Sequence, residues 1–366
     1  MNEQSEIAWK KNWEETKQNF TRWWNREGLV ISQWGGVHAD HHHEIVEKPP
    51  FINRGDEAFY SDVEARAKRN HYSLSRQNFP ADIMPVASTL IGPGSLAIHL
   101  GSRPEIREES VWYHPTMKDV VEPEKLPPLK FDPDDPWWKI QESTIMKCCE
   151  LGKGNYLVGC PDLVENIDIL AALRDVSTLL VDMIERPDWV LQKVEEINQA
   201  YFEIYDLIYE LIKTDDDGSV FEAYMLWGPG KTAKLQCDAA TMFSPAMFNK
   251  FVLPAMTEQC QWLDYSMYHL DGKEEFCHLD ALLGIEALDA IEWTPNAGEP
   301  LGGDPKWYDL YKRILGAGKS VQVYLVFAHE IVPLLDEIGG QGVYVLGLFK
   351  DEAEVESVLK QVEQFR

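Results

Sequence analysis

An α/β fold of the (β/α)8 TIM-type barrel class is what the sequence predicts, and three observations predict it. The chain has 366 residues, 45% of them hydrophobic, enough to bury one large core and to form a single barrel domain over 1–366. Short apolar runs bounded by Gly, Pro and Asn alternate with segments of helical spacing, most regularly in the second half. The apolar runs number eight, the strand count of such a barrel.

An amino-terminal helical extension, 1–28, comes first and carries Trp9, Trp13, Trp23 and Trp24, rings suited to packing against the barrel or against a second subunit. The predicted strands are 29–33, 83–87, 156–159 and 219–223, then 265–268, 287–292, 321–326 and 343–346. Between the later ones lie helical patterns. The run 245–264 begins with Ser244, a cap residue, and Pro245 at the first turn; 305–315 follows an Asp304 cap; 331–338 and 351–365 complete the set. The stretch 104–136, with Pro115, Pro123, Pro127, Pro128 and Pro133 among acidic residues, reads as a surface excursion.

The formal net charge is −27, from 34 Lys plus Arg against 61 Asp plus Glu. That charge repels phosphate backbones and anionic headgroups, so nucleic acid and membranes are excluded as partners and a small-molecule substrate is expected. The polar start of the chain and the lack of any apolar run of about 18 residues give a soluble, cytoplasmic reading. Six cysteines without a C-x-x-C pair fit reduced thiols.

In a barrel, reactive side chains come from the carboxyl ends of strands and the loops after them. Those positions hold His38, Asp40, Asp82, Cys160, Glu222, His269, Asp271, Glu292 and Trp293. The run Tyr268-His269-Leu270-Asp271-Gly272 is the richest. On an extended backbone, His269 and Asp271 lie on one side, about 6.6 Å apart along it. With Glu222 and with Cys237 and Asp238 from the preceding loop, they supply a three- or four-ligand metal set of His269, Asp271, Cys237 and Glu222. The alternative is an inert buried thiol and a hydrogen-bonded core histidine. His278 and Asp280 offer a further imidazole and carboxylate, or the start of a helix. The tract from His38 to Glu44 is dense in metal-competent groups, or a surface loop binding metals adventitiously. The run Gly228-Pro229-Gly230-Lys231-Thr232 is no phosphate loop, since Met225 stands where the motif needs glycine; it reads as a turn.

Several segments taken in order resemble a known family. The run Leu235-Gln236-Cys237-Asp238 through Ser244-Pro245 to Leu253-Pro254 resembles the stretch before a long barrel helix in uroporphyrinogen decarboxylases and their methylcobamide-dependent methyltransferase relatives. Ala81-Asp82-Ile83-Met84-Pro85-Val86 resembles the decarboxylases' aspartate-bearing loop, and Gly284-Ile285-Glu286-Ala287-Leu288-Asp289 with Trp293 their later strand. The resemblance implies a (β/α)8 barrel and the dimers common in the family. It also implies Asp82 as a substrate-binding and catalytic carboxylate. Departures are specific. Ile167 stands where the decarboxylases keep a tyrosine, Lys350 where they keep a histidine, and Ser32 to Gly36 where arginines receive the substrate's carboxylates. The methyltransferase branch carries a zinc motif H-x-C where this chain has His269-Leu270-Asp271, and a cysteine where Gly347 stands.

An Asp ligand in place of Cys makes a harder centre, suited to Lewis-acid action on a small methylated substrate. The expectation is thus a zinc-assisted methyltransferase working with a corrinoid carried by a partner protein. Catalytic residues would be Asp82, His269, Asp271 and His278, with Asp82, Trp293, Glu292 and Asp238 binding substrate. The alternatives are a metal-free decarboxylase in which His269 or His278 moves the proton, and a non-catalytic barrel that recruits a ligand or partner through its amino-terminal tryptophans.

Overall fold

The computed structural model describes residues 7–366. Ten strands form two main sheets: β1 (Leu29–Gln33), β2 (Val86–Ala87), β3 (Leu157–Cys160), β4 (Ser219–Phe221), β5 (Leu226–Gly228), β6 (Thr232–Leu235), β7 (Tyr265–Asp271), β8 (Ala290–Thr294), β9 (Ser320–Phe327) and β10 (Val343–Leu348). The larger sheet is six-stranded and parallel, in the order β1-β10-β9-β8-β7-β6; the smaller is β2-β3-β4-β5, with only the β4–β5 pair antiparallel.

The expected ladder of eight strands is therefore divided. Between β1 and β2 the link is a single residue, Asp82, whose N–H donates to Ile31 O at 2.9 Å. Between the smaller sheet and β6, the Ser219 hydroxyl donates to Gly230 O at 2.6 Å. The reason lies in the sequence of the second predicted strand. Pro80 and Pro85 lack the N–H a ladder needs, so of 83–87 only Val86–Ala87 pairs. Two strands went unforeseen, β5 and β6, the second occupying the segment read as a turn and loop. The predicted helix 245–264 breaks at Val252 into Pro245–Phe251 and Leu253–Trp262, with Pro254 opening the second piece. Ser244 caps the first by accepting from Met247 N, and Asp304 caps the short turn Pro305–Trp307 by accepting from Lys306 N.

Register decides which side chains meet. His269 pairs with Glu292, Glu292 with Gln322, and Gln322 with Tyr344, a polar row on one face of the larger sheet. The next row, Leu270, Trp293, Val323 and Val345, is apolar, fully buried and on the other face. Side chains alternate along a strand, so each strand gives one face to the polar interior and one to the surrounding helices. Trp293 accordingly packs between Phe276 and Trp307, with ring centres 4.8 and 5.0 Å away.

The helix Trp13–Trp24 lies against β1 and β5. Trp13, Trp23 and Trp24 are at most 4% exposed. Trp24 Nε1 donates to Trp227 O at 2.8 Å, and Phe20 meets Tyr344 edge-on at 5.4 Å. These rings fill the core, as does Trp9, so they offer no surface for recruiting a partner. That removes the support for a non-catalytic recruiting barrel.

The stretch 104–136 is an excursion outside both main sheets, with a two-stranded pair, Pro104–Ile106 against Val111–Tyr113. Arg174 pins it by donating to Met117 O and to Val120 O while paired with buried Asp182 at 2.7 Å. No helix among the described residues is long and apolar enough to cross a membrane.

Candidate metal and substrate site

β7 extends beyond its predicted end to Asp271, so His269 and Asp271 share one face of a regular strand. β6 supplies the third member. Its chain stays extended past Leu235, with Cys237 at φ −146° and ψ 86°, so Lys234, Gln236 and Asp238 fall on one side while Cys237 falls on the other. Gln236 Nε2 donates to Asp238 Oδ1 at 2.7 Å and fixes that side. Ligand-competent atoms of Asp238, His269 and Asp271 then lie within 4.8 Å of one another, the only such group of three among the described residues.

Glu292 stands behind His269 and takes the hydrogen bond at Nδ1; Thr294 Oγ1 donates to its other oxygen at 2.8 Å. With Nδ1 so engaged, Nε2 is the nitrogen that would ligate, in exchange for its 3.1 Å hydrogen bond with the Tyr224 hydroxyl. Tyr224 reaches it from a left-handed backbone, φ 64°, an uncommon conformation for a bulky residue. The turn is held from inside the fold: Gln322 Nε2 donates to Tyr224 O at 2.9 Å, and the Tyr344 hydroxyl donates to Met225 O at 3.0 Å. Tyr224, Tyr324 and half-exposed Trp34 form an aromatic wall beside the imidazole.

Charge is balanced unevenly. Burial pushes His269 down to about 4, and the Lys234 ammonium adds to the effect, so the imidazole is neutral at pH 7. Lys234 itself is paired with Asp162 at 2.8 Å. Burial raises Asp271 above the ordinary carboxylate value; His269 opposes this, while Asp238 and Glu292 add to it. A neutral imidazole beside two crowded carboxylates is a donor set that a divalent cation completes and neutralises, so these residues fit a metal. One nitrogen and two oxygens suit zinc or a harder divalent ion better than a thiolate-seeking one.

Beyond Asp238 a cavity of about 610 Å³ opens, walled by Val111, Trp112, Tyr113, Ile169 and Met242, with Asp168 and Gln236 on its polar side. Asp168 accepts from Asp238 N at 2.7 Å and Ala239 N at 2.9 Å, which anchors the loop carrying the third donor.

Other expected site residues stand elsewhere. Cys237 is buried on the far side of its loop, where burial and the neighbouring Glu165 and Asp168 raise its thiol well above the usual value; it is no metal ligand here. Glu222 turns away, accepting from Thr89 N at 2.9 Å, so it also leaves the metal set. Asp82 precedes β2 and spends its carboxylate on Ile31 N at 2.9 Å, Asn19 Nδ2 at 2.8 Å and Arg366 at 3.2 Å, a brace at the amino end rather than a catalytic or substrate contact. His278 stacks on Phe248 at 4.3 Å, and its Nε2 lies 3.0 Å from Ala240 O, outside the group formed by Asp238, His269 and Asp271. Trp293 faces the helices and lines no substrate pocket. Glu292 and Asp238 do join His269 and Asp271. The tract from His38 to Glu44 forms no metal group: His43 stacks on Trp9 at 5.3 Å and His42 meets Arg76. Tyr224 and Lys234 escaped the sequence reading, although Tyr224 follows β4 closely enough for the strand-end rule to have reached it.

No family model matches the chain, and no curated protein matches it by sequence. By structure it is similar to a methyltransferase from Methanosarcina mazei, at TM-score 0.59 and 13% identity over 96% of this chain and 98% of that one. A B12-independent methionine synthase from a Shewanella species, in complex with selenomethionine, matches at TM-score 0.43 and 11% identity over 92% of this chain and 96% of that one. The first likeness is one of overall α/β fold.

Proposed function

We propose that the chain is a metal-assisted methyltransferase acting on a small methylated substrate. Zinc would be held by His269, Asp271 and Asp238, and the methyl group would pass to a corrinoid carried by a partner protein. The observation that carries the reading is the convergence of those three donors, with Glu292 bound to the far nitrogen of the imidazole. The likeness of fold to the Methanosarcina mazei methyltransferase supports it.

A bound divalent cation supplies Lewis acidity, drawing electron density from the atom that carries the methyl group. The chain's own residues do the rest. Glu292 fixes the tautomer and orientation of His269. Tyr224 places a hydroxyl 3.1 Å from Nε2, where it can hydrogen-bond a substrate heteroatom brought to the metal position. Trp34, Tyr224 and Tyr324 wall one side of that position, and the cavity beside Asp238 would receive the substrate's body.

The test is methyl transfer to reduced free corrinoid, followed by absorbance, with zinc-loaded chain and a panel of methyl ethers, thioethers and methylamines. Methylated corrinoid should form with at least one class and vanish in Asp271→Ala. Transfer that persists unchanged in Asp271→Ala, or no transfer from any class with zinc bound, contradicts the proposal.

A further inference from the structure

A second cavity, about 290 Å³, lies beside the first and is lined by three arginines, Arg54, Arg66 and Arg69. Pro93, Ser110 and Val111 border both cavities, so the two adjoin there.

Arg107, Arg174, Arg186, Arg313 and Arg366 pair with carboxylates, at 2.5 to 3.6 Å. Among the described residues the three cavity arginines have no such pair, and they differ from the other unpaired arginines in converging on one hollow. Arg66 donates to Leu90 O at 2.6 Å and Tyr60 O at 3.4 Å, Arg69 to Phe59 O at 2.7 Å, and Arg54 Nε lies 3.5 Å from the Tyr60 hydroxyl. Carbonyls and a phenol orient these guanidinium groups without neutralising them. The carboxyls that influence them are engaged elsewhere. Glu222 accepts from Thr89 N, and Asp62 caps the helix Val63–Leu74 by accepting from Ala65 N.

Arg66 is only 4% exposed. Keeping a cation there without a directly bonded counter-ion costs solvation: burial, opposed by the more distant Glu222 carboxyl and helped by Arg69, pushes its pKa down to about 10. Arg69 is also fixed in place, its guanidinium stacked 3.8 Å over the Phe59 ring. Two immobilised guanidinium forks and an exposed third, around a hollow with no anion of its own, form a receptor for an oxyanion.

We propose that this cavity binds the carboxylate or phosphate group of a small molecule through Arg54, Arg66 and Arg69. The inference stands apart from the metal reading, since no residue of the metal group lines the cavity. The shared border places the bound oxyanion next to the larger cavity.

Calorimetry on the full chain without added metal tests it, using inorganic phosphate and acetate as separate probes in chloride buffer of matched ionic strength. One equivalent of phosphate or acetate should bind saturably, and the tighter probe identifies the head group. Arg69→Gln and Arg54→Gln should each weaken binding roughly tenfold. Arg313→Gln, on another surface, should leave it unchanged. Arg66 is too buried for its replacement to be decisive, so the two accessible arginines carry the test. No saturable binding of either probe, or binding unaltered in both Arg69→Gln and Arg54→Gln, overturns the proposal.

Discussion

His269 gains its character from three neighbours and its burial rather than from its place in the sequence. Glu292 engages Nδ1, Tyr224 faces Nε2 at 3.1 Å, and Lys234 with burial keeps the ring neutral. Glu292→Gln should therefore weaken zinc affinity by roughly 10 to 100-fold with the fold intact, measured by competition with a chelating dye. Unchanged affinity would mean that the ring needs no such support. Asp82 invites the opposite expectation. Its carboxylate serves Ile31 N, Asn19 and Arg366, and losing it strands those groups. Asp82→Ala should cost about 3 kcal/mol in chemical denaturation and leave zinc affinity within twofold. Lost zinc affinity at full stability would restore it to the site.

Among the elements, β6 and β7 position the site between them, and they were unequally legible. The placing of His269 was readable because 265–268 reads as a short strand, which puts His269 and Asp271 two apart at its end. Glu292 was named as the end of its own predicted strand, and the structure adds the register that sets it opposite His269. β6 was read as part of a turn because Gly228, Pro229 and Gly230 precede it so closely. That concealed the alternation that sends Asp238 inward and Cys237 outward. The choice of Cys237 over Asp238 as ligand was an error of one residue, and one residue reverses a strand's faces. Glu222 failed differently: the strand ends at Phe221 and the backbone turns helical, which re-aims the carboxyl toward Thr89. The amino-terminal helix was legible as core from its tryptophans, and it makes a quantitative prediction. Trp23→Ala, which removes a fully buried ring packed on Phe20, Trp24 and Tyr344, should cost about 3 to 5 kcal/mol by denaturant titration. A loss under about 1 kcal/mol would show that the helix is dispensable to the core.

For the molecule as a whole, an acidic surface surrounds buried acids that fold in neutral form, and this sets a pH dependence. Burial raises Glu275 to about 9, a tendency its bond from Tyr268 opposes. The unfolded chain ionises this group near 4.5, so its stabilising contribution is complete below that pH and is lost as pH rises through about 9. Across that window the group alone lowers stability by up to ~1.4 kcal/mol per pH unit. Glu275→Gln should flatten the fall in stability between pH 5 and 9; an unchanged slope would assign it to other groups. At this scale the α/β class with a parallel sheet was legible from alternation, whereas the strand count and the division into two sheets were not, since the division depended on two prolines whose effect on pairing needs the partners in place. The account's central claim is that Asp238, His269 and Asp271 form one metal centre. The direct measurement is zinc content after metal stripping, zinc addition and gel filtration, for the native chain and for His269→Ala and Asp238→Ala. The account predicts about one equivalent in the native chain and essentially none in either variant; a native chain without stoichiometric zinc, or variants that retain it, would contradict it.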